Sequence, residues 1–184
     1  MSAAGFFKSV YLQYLSKPPE YRKVYAAIRR RKPRSIVELG VGDGTRAQRI
    51  IAMAQRYHEG EVRYTGVDLF EARDDAQTGL PLKSAYKLLR STGAKVQLVP
   101  GDPFSALART ANSLTGTELL IISSDQDVQS LERAWFYVPR MITESSLTFI
   151  ESDAGDDAAK STTRLSLADV QARSGQPAQA RRAA

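Results

Sequence analysis

Cysteine is absent from the 184 residues, and His58 is the only histidine. The first absence excludes disulfides and thiolate metal sites and leaves nothing that argues for an oxidising compartment. The second removes a Ser-His-Asp triad and a histidine-rich zinc centre, because His58 follows a helical stretch in Tyr57-His-Glu-Gly60 and reads as an exposed helix-end residue. Long apolar runs are missing too: none approaches the roughly 20 residues that span a bilayer. The opening Met-Ser-Ala-Ala-Gly-Phe-Phe-Lys lacks the basic-then-apolar order of a secretion signal. A soluble cytoplasmic protein with no membrane partner is the expectation.

Hydrophobic residues make up 42% of the chain, enough for one sizeable core. The net charge of +6 is unevenly spread. Residues 1–34 hold nine Lys or Arg against one Glu, residues 35–152 hold 12 against 15, and residues 153–184 hold five against four. The basic run Arg29-Arg-Arg-Lys-Pro-Arg34 reads first as a solvated helix end, with RNA, a membrane surface or an acidic partner as the alternatives.

Periodicity divides the chain into three. Over 1–32, apolar residues at helical spacing on either side of Pro18-Pro19 predict two amphipathic helices, whose aromatic stripe belongs to the core or to a homodimer or acceptor contact. Over 33–152, strand patterns at 35–40, 62–69, 95–100, 118–124 and 146–151 alternate with helical patterns at 45–57, 80–91, 103–113 and 128–142. That alternation predicts an α/β fold: a three-layer parallel sheet of order 3-2-1-4-5 with helices on both faces. From 153 to 184 aromatics vanish, and a partly helical or disordered tail is expected, with a helix over about 165–173 and no strand after Ile150.

The richest segment is Ser35-Ile-Val-Glu-Leu-Gly-Val-Gly-Asp-Gly-Thr45. An apolar strand runs into Gly40, Gly42 and Gly44 and then into a helix, which brings bare backbone and a helix N-terminus against a nucleotide-type ligand. The spacing is G-x-G-x-G, where the dinucleotide fingerprint is G-x-G-x-x-G. Glu38 at the strand end would repel a pyrophosphate and suit a cationic group. Asp68 ends the second strand, where either cofactor class expects an acid for the ribose hydroxyls, and Asp102 ends the third. Asp102-Pro-Phe also reads as a helix N-cap with proline at the first helical position.

On Glu38 through Gly44 the chain resembles the class I S-adenosylmethionine-dependent methyltransferases, whose Rossmann-like first motif reads E/D-x-G-x-G-x-G. The resemblance implies S-adenosylmethionine as cofactor. It implies that Glu38 lies near the methionine amino group and that Gly40, Gly42 and Gly44 admit sulfonium and ribose. Asp68 would then bind ribose and Asp102 the adenine amine. Ile121-Ile-Ser-Ser-Asp-Gln126 resembles the F-I-D-x-D-H segment of small-molecule O-methyltransferases, with Ser123 and Gln126 in place of an acid and a histidine. The loss weakens any divalent-metal site, so no metal is assigned. Asp125 becomes the candidate catalytic residue, with Asp127 and either Glu151 or Asp153 as further carboxylates near the methyl group; the alternative is that these acids are helix N-caps and a solvated loop. A methyltransferase acting on an O- or N-nucleophile of a small molecule is expected. An inactive cofactor-binding module, an NAD-dependent oxidoreductase and an RNA methyltransferase remain as alternatives. The family's terminal hairpin has no counterpart in the sequence pattern.

Overall fold

A computed structural model describes residues 19–73, 79–152 and 161–175. After a 3-10 turn at Pro19–Tyr21 come α1 (Arg22–Arg31), β1 (Ser35–Leu39), α2 (Thr45–Tyr57), β2 (Arg63–Asp68), α3 (Leu82–Arg90) and β3 (Lys95–Pro100). They are followed by α4 (Pro103–Thr110), β4 (Leu119–Ile122), α5 (Val128–Ala134), α6 (Val138–Met141), β5 (Leu147–Ser152), β6 (Ser161–Leu165) and α7 (Leu167–Gly175). The first of the two expected N-terminal helices lies outside the described residues.

The sheet has the order β3-β2-β1-β4-β5-β6, with β1 to β5 parallel. The expected order 3-2-1-4-5 is thus present, and the expectation of no strand beyond Ile150 is corrected. β6 pairs antiparallel with β5 from Ser152↔Ser161 to Thr148↔Leu165. Its sequence, Ser-Thr-Thr-Arg-Leu, is nearly all polar because it occupies the sheet edge, and only Thr162 and Leu165 are buried. Such a strand gives no hydrophobic signal; β5 imposes its conformation.

Strand residues alternate between two cores. Ile36 of β1 faces a layer built with Val24, Tyr25 and Ile28 of α1, Ile50 and Ile51 of α2, and Leu89 of α3. Val37 and Leu39 face the other layer, with Leu107, Ala134, Trp135 and Val138. The buried strand β4, Leu-Leu-Ile-Ile, reads as continuous apolar sequence because both its faces are covered. The expected helix 128–142 is two helices, α5 and α6, separated at Trp135–Tyr137. Pro139 accounts for part of the break, since its ring cannot follow an uninterrupted helix. Among the described residues no helix is long and apolar enough to cross a membrane.

Strand order reverses between β1 and β4, which opens a crevice beyond their carboxyl ends. The basic run lies at the other end of the strands, their amino ends. Arg31 donates to the Ser145 carbonyl at 3.1 Å, and the Arg34 amide donates to Glu118 at 2.7 Å, both acceptors preceding a strand.

Candidate functional site

The glycine turn sits at that crevice. Gly40, Gly42 and Gly44 all have positive φ, at 93°, 61° and 75°. Gly40 also lacks room for a side chain: a Cβ there would lie 2.5 Å from Gln126 Nε2, 2.7 Å from Ser123 Cβ and 2.9 Å from Asp125 Oδ1. The β1 turn and the segment after β4 are therefore in van der Waals contact. Gly44 begins α2, and Asp43 accepts from the Thr45 amide and hydroxyl, both at 2.9 Å. The helix N-terminus that a pyrophosphate would use is thus already met by a carboxylate.

Glu38 does not face the crevice. Two residues after Ile36, it points into the α2 side of the sheet and is fully buried. Its Oε1 accepts from Arg46 Nε and its Oε2 from the Tyr64 hydroxyl. Arg46 continues to Glu151 and Tyr21 through Nη1 and to the Gly40 carbonyl, 2.6 Å away, through Nη2. Ser123 donates to Glu151 Oε2 at 3.1 Å. A carboxylate with no solvent must have a cation and donors, and here they come from within the chain. Burial nevertheless pushes the Glu38 carboxyl above its ordinary range, against the pull of Arg46 and Tyr64.

Sequence reasoning missed Arg46. Its signal was there, since Arg46 shares the apolar stripe of Ile50 and Met53 in α2. It also stands in the helix's first turn, where the dipole disfavours a cation. A cation there calls for acids nearby.

Asp68 is likewise engaged. Its Oδ2 accepts from the amides of Val41 and Gly42, at 2.6 and 2.9 Å, and its Oδ1 from Leu69 at 2.7 Å. Arg73 completes the set as an ion-pair partner. Asp68 thereby fixes the glycine turn, a role no spacing rule gave it.

Asp102 caps α4, accepting from the amides of Phe104 and Ser105 and from the Ser130 hydroxyl. Burial works to raise its carboxyl, but hydrogen bonds from Ser105 and Ser130 outweigh it and hold the group at about 2, below its ordinary 3.8. A lowered folded value means that the contribution is complete above about pH 4 and lost as pH falls through about 2. Asp102→Ala should cost about 1 kcal/mol at neutral pH. Urea unfolding at stepped pH should show this difference closing towards pH 2; a constant difference would refute it.

Asp125 accepts from Gln126 Nε2 at 2.8 Å. Burial raises its carboxyl, and the hydrogen bonds from Ser123 and Gln126 with the charges of Arg46 and Arg73 bring it below the ordinary value. It is therefore ionised over the neutral range. Asp68, Asp102, Asp125 and Asp127 line one cleft of about 260 Å³ with Arg73 and Gln126. Gln126 also borders a second cleft of about 550 Å³ between α5 and α7, where Ser123 and Glu151 lie. Of the predicted residues, Asp68, Asp102 and Asp125 thus come together at one cleft above the glycines, and Glu38 lies beneath. Among the described residues no group of three His, Asp or Glu could hold a metal ion. Asp153 lies outside them.

No family model and no curated protein matches the chain. Solved structures do. The O-methyltransferase TomG from Streptomyces achromogenes, in complex with S-adenosylmethionine, superposes with a TM-score of 0.55 at 13% identity, covering 94% of this chain and 75% of TomG. The trans-methyltransferase CalH, in complex with S-adenosylhomocysteine, gives 0.51 at 16% identity, covering 83% of this chain and 40% of CalH. Cofactor-bound Rv0187 from MTB gives 0.51 at 15%, covering 93% and 72%. The chain thus spans about two fifths of CalH. At such identities the likeness concerns the fold, and that fold is the class I methyltransferase fold.

Proposed function

We propose that this chain binds S-adenosylmethionine above the glycine turn and transfers its methyl group to an O- or N-nucleophile of a small molecule. The observation that carries this reading is the charge of the site. Four aspartates and one arginine line the cleft, and Asp43 caps the helix behind it. Such a surface attracts a sulfonium and repels a diphosphate, which argues against a nicotinamide dinucleotide. The tight turn with its positive-φ glycines gives the group close backbone approach, and the two adjoining clefts, about 260 and 550 Å³, leave room for cofactor and acceptor together, since small-molecule sites typically occupy about 300–1,000 Å³.

Bound there, the cofactor supplies an already activated methyl, so the chain's own task is alignment and handling of a proton. Gly40, Gly42 and Gly44 give close backbone approach. Asp102 stands where an adenine amine would donate. Asp68 shapes the turn, and of its described partners Arg73 is the side chain a ribose hydroxyl could displace. Arg46 takes the place an ammonium would hold on Glu38, so Glu38 acts through Arg46. Asp125, beside Gly40, lines the aspartate cleft next to Gln126, where the second cleft begins, and would face the methyl group.

The basic run argues against an RNA acceptor. Its residues bond to Glu118 and Ser145 at the amino ends of the strands, a strand length from the glycine turn. Calorimetric titration with S-adenosylhomocysteine should give 1:1 binding, followed by methyl transfer to an acceptor from a small-molecule panel. Tight binding of NADH with none of S-adenosylhomocysteine would overturn the reading.

A further inference from the structure

The 550 Å³ cleft beside the glycine turn has a composition that selects among acceptors. It opens between α5 and α7, at the carboxyl ends of β4 and β5, and it meets the aspartate cleft at Gln126. Its walls are apolar: Val128 and Leu131 stand on one side, Ile150 and Leu165 on the other. Val128 is 69% exposed, so its side chain is open to a molecule entering the cleft.

The polar groups are unbalanced. Glu132, Glu151 and Asp169 face the cleft, with Arg173 as its only lining cation among the described residues. Arg173 is spoken for, lying 5.2 Å from the Trp135 ring centroid and beside Asp169. Glu151 shares Arg46 with Glu38. Among the described residues Glu132 has neither a hydrogen-bond nor an ion-pair partner.

We infer, on the basis of the methyltransferase reading above, that the acceptor is an amine: a small molecule with a flat or branched apolar body between Val128 and Leu165 and a cationic nitrogen directed at Glu132. The apolar walls take the body, and the uncompensated carboxylate takes the charge. A carboxylate or phosphate acceptor of the same size would meet net repulsion. For transfer, the ammonium first surrenders a proton to Glu132 or water. The amine lone pair then forms the N–C bond as the C–S bond of S-adenosylmethionine breaks, and the electron pair leaves with sulfur as a neutral thioether.

Two compounds with the same ring and opposite charge test this: tyramine and 4-hydroxyphenylacetate, titrated calorimetrically into the full chain saturated with S-adenosylhomocysteine. Tyramine should bind about tenfold more tightly, the size expected of one charge pair in a partly solvated cleft. Glu132→Lys should reverse the preference, with circular dichroism confirming the fold. Equal affinities, a preference for the carboxylate, binding of neither compound, or a preference indifferent to Glu132→Lys would overturn the inference. A chain that fails to bind S-adenosylhomocysteine sinks the methyltransferase reading instead, and the same two titrations without it still decide the charge selectivity of the cleft.

Discussion

Replacing Arg46 by methionine should remove about 3–5 kcal/mol of unfolding free energy, the usual cost of taking one partner from a buried ion pair. Arg46 stands between Glu38 and Glu151, whose side chains are 0% and 1% exposed. Methionine fills much of the volume and none of the charge. Two carboxylates then remain in a dry interior, where each must take up a proton or draw in water. Tyr64 and Ser123 still donate to them, but a neutral donor does not replace a guanidinium.

The loss should shrink sharply when Glu38→Gln and Glu151→Gln accompany the change, because the uncompensated charge disappears with them. It should also shrink as pH falls, since Glu38 already has a raised carboxyl and accepts a proton more readily than an exposed glutamate. Urea unfolding of the single and triple variants measures both effects. A single variant within about 1 kcal/mol of the parent would mean that the bridge contributes little.

Gly40→Ala should be about as costly in stability, at about 3 kcal/mol, and should also abolish cofactor binding. Two terms add. At φ 93° an L side chain is strained, typically by about 1–3 kcal/mol. The new methyl would also meet Ser123 Cβ at 2.7 Å and Asp125 Oδ1 at 2.9 Å, and overpacking of that kind costs about 1–3 kcal/mol. Ser123 Cβ hangs directly on the backbone, so relief requires the β4 turn itself to move. Gly42→Ala separates the terms, because its φ is 61° but nothing lies within 4 Å of the added Cβ. It should cost only the backbone strain. Equal losses at Gly40 and Gly42 would show that the contact with the β4 turn is unimportant.

Much of this was readable from the chain. Thr45–Tyr57 is a helix with the predicted bounds, because its apolar residues repeat at helical spacing and a glycine precedes it. Among the parallel strands β4 was legible because a strand covered on both faces is apolar along its length, and β3 because its apolar residues alternate with polar ones. The sixth strand was not, because Ser-Thr-Thr-Arg-Leu carries almost no apolar signal and takes its conformation from β5. The site divides the same way: Gly40, Gly42, Gly44, Asp68, Asp102 and Asp125 were found by residue type and spacing, whereas Arg46, Arg73, Glu132 and Tyr64 were not singled out.

By itself the sequence determined the alternation of strands and helices, the glycine turn and the acids at the strand ends, since these follow from local periodicity and backbone freedom. Only the tertiary structure decided what those acids do. Glu38 and Glu151 are 113 residues apart and meet on one guanidinium; Asp68 turns back to hold the loop 26 residues before it. Long-range electrostatic partners are chosen by packing, because a buried charge takes whichever opposite charge the fold carries to it, and no spacing rule records that choice.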